Sequence, residues 1–415
     1  MRHKLKTSPL APRRAGITKA IEGVRLATAK AGIKYADRKD VLLVEFDPET
    51  SVGGAFTTSR CAGAPVLWSR NNLPAGTARA LVVNSGNANA FTGRRGTNAC
   101  AEISSSAARA LHCAAHEVFL ASTGVIGEPI DVSKFEAVFP NLVSDLAPGG
   151  FEQAAEAIMT TDTFAKAASA TVVIDGVPIE FAGIAKGSGM IAPDMATTLA
   201  FVFTDAAIAP DVLQSMVSRA IQTTFNAITV DADTSTSDTF LVFATGKARI
   251  RGAIEITRED DAGAQEFYSE LSKLMLDLAL QVVRDGEGAR KFITVSVTGA
   301  SSVASARKIA FTVANSPLVK TAVAGEDANW GRVAMAIGKS GEDFDQNRVS
   351  IAFGEYVLAR DGMRADDYNE GSVTEYMRRP DIDILIDVGA GNGSDKVYTC
   401  DLTSDYVVIN GDYRS

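Results

Sequence analysis

A glycine-rich loop that runs directly into an apolar strand constrains the fold of this chain most. Residues 186–193 contain two glycines and a proline, which cannot continue a helix or a central strand. The run 198–203 is mostly apolar and predicts a buried strand. Thr197 lies at the junction, where a rigid strand could hold a nucleophilic hydroxyl. The same pattern also fits an ordinary loop-to-strand junction, so the local sequence leaves both interpretations open.

The remaining pattern mixes strands and helices without a regular βαβ order. It predicts an α/β or α+β fold in which helices pack over mixed sheets. We expect a hairpin around Asp175-Gly176, which is a strong type I′ turn signal, and a helix over 263–283 with one apolar stripe. The other predicted elements are strands at 41–46, 51–58, 65–68, 80–83, 118–122, 291–297 and 406–415, helices at about 96–113, 151–158 and 210–222, and a flexible lead-in over 1–16.

Composition excludes several classes of function. The chain has 415 residues and a formal net charge of -9, which does not fit a general nucleic-acid-binding surface. No apolar run is long enough for a transmembrane helix, and no secretory signal is recognised. The four cysteines are scattered without CxxC spacing, as expected for reduced thiols in the cytoplasm.

Histidine is scarce, so a Ser-His-Asp or Cys-His mechanism would have to use His112 or His116. Of three histidines, His112 and His116 could share a helix face, but no carboxylate or cysteine completes a metal set. The run 231–238 alternates aspartate and hydroxyl residues but lacks the order of an EF-hand loop, and we expect a polar loop near the site. We therefore predict no metal, and a general base other than histidine.

Several segments together resemble the ornithine acetyltransferase family, also called glutamate N-acetyltransferase, of arginine biosynthesis. Each segment alone is weak, but their common order over nearly the whole chain is specific. The segments are Ala185–Pro193 with Met195-Ala196-Thr197, the run VNSGNANA at 83–90, Ser122–Gly127, Thr160–Thr163, Arg284–Ala289, Gly325–Arg332 and Asn410–Ser415.

The resemblance implies a layered α-β-β-α-like sandwich of the N-terminal-nucleophile type with an additional smaller α/β domain. It also implies self-cleavage between Ala196 and Thr197, which gives an α chain of 1–196 and a β chain of 197–415. The Thr197 hydroxyl would attack the Ala196 carbonyl, and water would resolve the ester. The freed α-amine, with an ordinary pKa of about 7.7–8.0, could then act as general base in place of a histidine.

The implied reaction moves acetyl from N2-acetyl-L-ornithine to Thr197 and then to L-glutamate. Thr123 and Gly124 would form the oxyanion hole. The family's substrate contacts correspond to Thr197, to one threonine of 160–163 and to Lys186, Glu287, Asn410 and Ser415. Thr161 is favoured over Thr160 and Thr163. Lys186 could pair with a substrate carboxylate, and Glu287 with a substrate ammonium or a proton.

The resemblance implies small-molecule substrates and a heterotetramer of two α and two β chains, with no resident cofactor. It leaves open whether acetyl-CoA also serves as acetyl donor. Asp194 stands where the family more often has asparagine, and Gly411 where it has alanine; the charge at Asp194 could slow self-cleavage. The alternatives are an N-terminal-nucleophile amidohydrolase or aminopeptidase, which gives the acyl group to water, and an uncleaved binding protein.

Overall fold

The structure is a computed structural model and describes residues 6–12, 19–192 and 198–411. The chain divides into two compact units. The large unit comprises Arg13–Asn226 and Asp233–Val282. The small unit comprises Met1–Pro12, Ala227–Ala232 and Val283–Ser415.

One mixed sheet forms the centre of the large unit. Its strands are β1 (Val24–Ala29), β2 (Val41–Phe56), β3 (Thr77–Asn87), β4 (Val118–Val125), β5 (Lys166–Ile174), β6 (Val177–Lys186), β7 (Leu199–Thr204) and β8 (Thr239–Ala244). They lie in the order β4-β3-β2-β8-β7-β6-β5, and β1 pairs with β2. The two predicted strands at 41–46 and 51–58 are one strand, β2, whose pairing with β3 shifts between Glu45 and Thr50.

The strand that follows the glycine-rich loop is buried on both faces, as predicted. Every residue of β7 is buried, and β7 pairs in parallel with β8, whose residues are also all buried. Parallel strands covered on both faces typically have continuous apolar runs of this kind. On its other side β7 pairs with β6, the second strand of the predicted hairpin; Asp175 and Gly176 both have positive φ in its turn.

The sheet is curled so that its two halves face each other. Phe119 on β4 and Phe243 on β8 lie three strand positions apart, which is about 14 Å in a flat sheet. Their ring centroids are nevertheless only 6.2 Å apart, and Phe46 stacks on Phe243 at 4.2 Å. One apolar layer therefore fills the space between the two halves.

Helices cover the outer faces of both halves. Apolar residues of α2 and α3 share a cluster with the alternate residues of β2, β3 and β4. On the other half, α5 packs closely against β2: a Cβ at Gly53 would lie 3.1 Å from the backbone nitrogen of Gln214 on α5. Helix α6 packs on β6, where the ring centroids of Phe267 and Phe181 are 5.2 Å apart. The layered α-β-β-α-like prediction is therefore confirmed. The helices of this unit are α1 (Ala64–Asn72), α2 (Gly93–Leu111), α3 (Ser133–Ser144), α4 (Phe151–Ala157), α5 (Pro210–Thr223) and α6 (Ala264–Arg284), the last of which ends in the small unit.

The small unit is the additional α/β domain that the resemblance implied. Its strands are β9 (Phe292–Ala300), β10 (Ser350–Phe353), β11 (Tyr356–Arg360), β12 (Met363–Arg364), β13 (Asp381–Asp387) and β14 (Gly393–Cys400), in the order β12-β11-β10-β13-β9-β14. Its helices are α7 (Val303–Ala314), α8 (Pro317–Ala324), α9 (Trp330–Gly338), α10 (Glu370–Met377) and α11 (Ser404–Gly411). Residues of α7, α9 and α10 share one apolar core with the sheet.

The structure corrects the predictions for the segments 65–68 and 6–12. The segment 65–68 is not a strand but part of α1, where Pro65 occupies the first turn and Trp68 donates a hydrogen bond to the Val118 carbonyl at 2.9 Å. A proline is well tolerated in the first helical turn, because a backbone N–H at that position would have no partner within the helix.

Residues 6–12 of the predicted flexible lead-in pack against the rest of the small unit. Leu10 is buried, and Ser8 donates a hydrogen bond to the Arg284 carbonyl at 2.6 Å. The rest of the lead-in lies largely outside the described residues.

Within the described ranges, no helix is both long enough and apolar enough to cross a bilayer.

We predict that Phe243→Ala strongly destabilises the large unit. The ring lies between the two halves of the sheet and contacts Phe46, Phe119 and Phe203, so its removal leaves a cavity. The expected loss in unfolding free energy is about 3–5 kcal/mol, measured by urea denaturation. Ile250→Ala, at a position that is 73% exposed, is the control; an equal shift for both variants would contradict the proposed packing.

Candidate functional site

Lys186 and Thr123 meet inside the large unit, although they are far apart in sequence. Lys186 is the last residue of β6 and is 2% exposed. Its Nζ lies 3.3 Å from Thr123 Oγ1 on β4 and 4.0 Å from Asp162 Oδ2. The ammonium therefore has a hydroxyl and a carboxylate as neighbours inside the protein. The predicted pairing of Lys186 with a substrate carboxylate is a separate matter and stays a prediction.

Gly124 is a position that tolerates no side chain. Its φ is +132°, and a Cβ there would lie 2.2 Å from the backbone carbon of Gly86 on the neighbouring strand β3. The strand does not end before Thr123, as the sequence suggested, but continues to Val125 with an irregular pairing at Gly86 and Asn87. Irregular pairing of this kind commonly redirects the backbone near a functional site.

Asp162 is the buried anion that holds this region together. Its Oδ1 accepts hydrogen bonds from Lys166 Nζ at 2.6 Å and from the Gly187 N–H at 2.7 Å, and its Oδ2 accepts from the Thr160 N–H at 2.9 Å. Burial favours the neutral acid, but the ammonium groups of Lys166 and Lys186 and these hydrogen bonds outweigh it and hold the pKa of Asp162 well below its usual range. The carboxylate therefore stays charged at neutral pH.

The threonines of 160–163 differ in their surroundings. The Thr161 and Ser188 hydroxyls are 2.7 Å apart, so Thr161 contacts the glycine-rich loop directly. Thr160 uses its backbone N–H for Asp162. Its contact with the loop makes Thr161 the residue we continue to favour for substrate binding, and the alternatives Thr160 and Thr163 remain open.

Sequence reasoning missed the part played by Asp238. The residue precedes β8, is fully buried and accepts a hydrogen bond from the Thr198 N–H at 2.7 Å on Oδ1. It therefore touches the residue that follows the predicted nucleophile. The available signal was the polar run 231–238 placed directly before an apolar strand, which we expected to be near the site but did not resolve to one residue.

Glu287 and Asn410 belong to the small unit, where they contact each other. Asn410 Nδ2 donates to Glu287 Oε2 at 2.7 Å and to the Tyr406 carbonyl at 3.0 Å. The predicted strand is wrong over 406–411, because residues 404–411 form helix α11, and its remainder, 412–415, lies outside the described residues. The helix places Tyr406 and Asn410 one turn apart, which an extended strand would not do.

The predicted scissile bond, Ala196–Thr197, lies outside the described residues. Ala196 and Thr197 belong to the segment 193–197, as does Asp194, and Ser415 belongs to 412–415. The structure describes Ala192 and Thr198 on either side of the first segment. The predicted scissile bond, nucleophile and C-terminal contact therefore stay predictions.

His112 and His116, which the sequence predicted on one helix face, do not share a helix. His112 ends α2 in the left-handed conformation with φ of 54°, and His116 lies in a separate 3-10 turn, Ala115–Glu117. Across the described ranges no group of three histidine, cysteine, aspartate or glutamate residues is arranged to hold a metal ion.

Comparison with known proteins gives matches along nearly the whole chain. The model of the ArgJ family matches residues 25–415. Arginine biosynthesis bifunctional protein ArgJ of Mesorhizobium japonicum is 58% identical over 408 residues, which is 98% of this chain and 99% of that protein. The protein of the same name from Agrobacterium fabrum is 56% identical with the same coverage. A crystal structure of ArgJ from Bacillus halodurans matches 51% of this chain and 97% of that chain with 42% identity and a TM-score of 0.49.

We predict that Asp162→Asn destabilises the protein by about 3–5 kcal/mol at neutral pH, because it removes the carboxylate charge 2.6 Å from the buried Lys166 ammonium. The pKa of Asp162 is lowered in the folded state, so its contribution is complete above the unfolded pKa of about 3.9. The stabilising effect is lost as pH falls through the folded pKa. The difference between the two proteins should therefore shrink at acidic pH in urea titrations.

Two further variants test this interpretation. Asp162→Asn combined with Lys166→Met removes both charges of the closest pair and should recover part of the lost stability. Glu375→Gln removes one partner of an exposed pair with Arg378 and should leave the unfolding midpoint unchanged. An Asp162→Asn protein as stable as wild type would contradict the assignment of a buried charge network.

Proposed function

The chain belongs to the ArgJ family, and we propose from this membership that it transfers acetyl from N2-acetyl-L-ornithine to L-glutamate in arginine biosynthesis. The observation that carries the proposal is 58% identity with a curated arginine-biosynthesis enzyme over 98% of this chain. The family resemblance and the enzyme class inferred from the sequence are thereby confirmed. The relatives do not favour the hydrolase alternative, since their names describe arginine biosynthesis.

Self-cleavage between Ala196 and Thr197 is the first step of the proposal. The Thr197 hydroxyl attacks the Ala196 carbonyl, the C–N bond breaks, and water hydrolyses the ester. The proposed chains are 1–196 and 197–415. Strands β6 and β7 flank the cleaved segment and pair in antiparallel register from Lys186–Leu199 to Phe181–Thr204, which would keep the two chains associated after cleavage.

The transfer step uses Thr197 twice. Its hydroxyl takes the acetyl group and releases ornithine, and glutamate then accepts the acetyl group; the freed α-amine of Thr197 acts as general base. Thr123 and Gly124 are the proposed oxyanion hole. The approach of Lys186 Nζ to Thr123 Oγ1 at 3.3 Å supports this role, because a hydroxyl that accepts from an ammonium can donate its own proton to an oxyanion.

The remaining proposed contacts are Thr161, Lys186, Glu287, Asn410 and Ser415 with the substrates. The Glu287–Asn410 hydrogen bond at 2.7 Å would hold the Glu287 carboxylate for a substrate ammonium. The relatives are called bifunctional, and on that ground we include acetyl-CoA as a second acetyl donor to glutamate. The proposal includes no resident cofactor or metal.

The assembly and location complete the proposal. We expect a heterotetramer of two α and two β chains, measurable as native mass. We expect the enzyme in the cytoplasm, and the four cysteines, all of them free thiols in the structure, support a reducing compartment.

We predict that Thr197→Ala abolishes both cleavage and acetyl transfer, because it removes the attacking oxygen. Denaturing gels should show one intact chain instead of two fragments near half-size, and mass spectrometry should find no new N-terminus at Thr197. Thr197→Ser retains a hydroxyl and should still cleave. Cleavage that survives in Thr197→Ala would refute the proposed nucleophile.

We predict that release of ornithine from acetylornithine depends on glutamate. A transferase should release ornithine continuously only when glutamate accepts the acetyl group, and N-acetylglutamate should appear in equal amount by mass spectrometry. A parallel reaction with acetyl-CoA in place of acetylornithine tests the second donor. Equal rates of acetylornithine consumption with and without glutamate would instead identify a hydrolase.

A further inference from the structure

A buried carboxyl group beside the cleaved segment has no role in the reaction described above. Asp238 is fully buried, and its Oδ1 accepts the Thr198 N–H at 2.7 Å. Over residues 6–12, 19–192 and 198–411, no donor reaches its Oδ2 with hydrogen-bond geometry. A buried polar atom without a partner is costly and is uncommon in folded proteins. One oxygen of the carboxyl is thus held in place while the other remains available for a further group.

The backbone fixes this carboxyl relative to the start of β7. The Thr57 N–H donates to the Asp238 carbonyl at 3.1 Å, and the Thr239 N–H donates to the Thr198 carbonyl at 3.1 Å. Hydrogen bonds to both the backbone and the side chain of Asp238 therefore fix it beside the starts of β7 and β8. A side chain fixed in this way can be positioned for proton transfer.

The surroundings of Asp238 favour its neutral form. Burial raises the pKa of Asp238 well above its usual range and outweighs the groups that favour the charged form. Those groups are the Thr198 N–H just before β7, the Lys186 ammonium on β6, and the nearby hydroxyls of Thr57 after β2 and Ser235 in the preceding loop. The Thr57 hydroxyl itself donates to the Ser235 carbonyl at 2.6 Å.

The position of Asp238 along the chain points to the scissile bond. The nitrogen of Thr197 is joined to the nitrogen of Thr198 by three covalent bonds, about 4.3 Å along the bonds. Thr198 N lies 2.7 Å from Asp238 Oδ1. We propose that Asp238 donates its Oδ2 proton to the nitrogen of Thr197 as the Ala196–Thr197 bond breaks. This inference rests on the proposed self-cleavage and adds a general acid to it.

The step balances without another reactant. The bond from Thr197 Oγ to the Ala196 carbonyl carbon forms, and the bond from that carbon to the Thr197 nitrogen breaks. The nitrogen gains the Asp238 proton and becomes an amine, and the Asp238 carboxylate takes the proton that Oγ loses. The products are the ester, the free amine and a neutral Asp238. A nitrogen leaves an acyl carbon readily only when it is protonated, which is why an acid is needed at this place.

We predict that Asp238→Asn slows self-cleavage by about 10²-fold or more, the usual contribution of a general acid. Asparagine keeps an oxygen that can accept from the Thr198 N–H but cannot donate an acidic proton, so it separates proton donation from positioning. Freshly synthesised full-length chain would be followed on denaturing gels over about pH 5 to pH 10, a range that spans the ordinary carboxyl and amine pKa values. Wild-type cleavage should slow at high pH as Asp238 loses its proton.

Asp205→Asn is the matched control. Asp205 directly follows β7 at its opposite end, is also buried, and also accepts a backbone N–H, that of Glu180, at 3.0 Å. Its variant should cleave at the wild-type rate with the wild-type pH profile. Asp238→Glu restores an acid on a longer side chain and should recover part of the rate together with the fall at high pH.

Three results would overturn the inference. The first is an Asp238→Asn chain that cleaves within a few-fold of wild type. The second is a slow Asp238→Asn chain that retains the wild-type pH profile, which a merely structural role predicts. The third is an Asp238→Glu chain that folds but cleaves no faster than Asp238→Asn, since a restored acid should recover part of the rate. A wild-type chain that does not cleave at Ala196–Thr197 would contradict the proposed function itself. If wild type cleaves and Asp238→Asn cleaves equally fast, only the role of Asp238 is contradicted.

Discussion

The attraction between one buried carboxylate and two lysines determines the geometry of the candidate site. Asp162 lies between Lys166 and Lys186, with ammonium-to-carboxylate distances of 2.6 and 4.0 Å. A buried ammonium without a nearby anion costs several kcal/mol or loses its proton, so this carboxylate stabilises both charged lysines. Because Asp162 also accepts the Gly187 N–H, the same charge fixes the first glycine of the glycine-rich loop. The same carboxylate lies 4.0 Å from the Lys186 ammonium, which in turn contacts Thr123 Oγ1 at 3.3 Å.

Strand register explains how residues from distant parts of the sequence meet. Lys186 pairs with Leu199 in the antiparallel β6–β7 ladder, and Leu199 pairs with Thr239 in the parallel β7–β8 ladder. The end of β6 and the starts of β7 and β8 therefore lie at one edge of the sheet. Asp238 precedes β8 and Thr198 precedes β7 at this edge, so the loop that carries the predicted nucleophile begins and ends among buried polar groups.

The sequence predicted elements well where one local signal dominates. The apolar stripe of α6 and the Asp-Gly hairpin are confirmed because periodicity and turn chemistry act over a few residues. The segment 65–68 was predicted wrongly because β-branched and aromatic residues resemble a strand, whereas its proline starts a helix. The segment 406–409 is similarly apolar, and neighbouring residues in the chain decide between helix and strand there.

The candidate site was predictable only where residues carry a recognisable motif. Thr123, Thr161, Lys186, Glu287 and Asn410 were identified through resemblance, but their contacts depend on strand order, which the local sequence does not contain. Asp162 and Asp238 show this limit most clearly. Both are aspartates in hydroxyl-rich runs, and nothing local distinguishes their charge states.

The two aspartates differ because of what surrounds them, and that difference is what a proton-transfer site requires. Two ammonium groups lower the pKa of Asp162 despite its burial, whereas burial raises the pKa of Asp238 and outweighs the effect of the Lys186 ammonium. An enzyme that needs one permanent anion and one neutral acid at the same pH obtains both by separating their environments. Lys186 interacts with both carboxyls, so a change that moved its ammonium toward Asp238 would favour loss of the Asp238 proton. The attraction between Asp162 and Lys186 at 4.0 Å therefore also favours the neutral form proposed for Asp238.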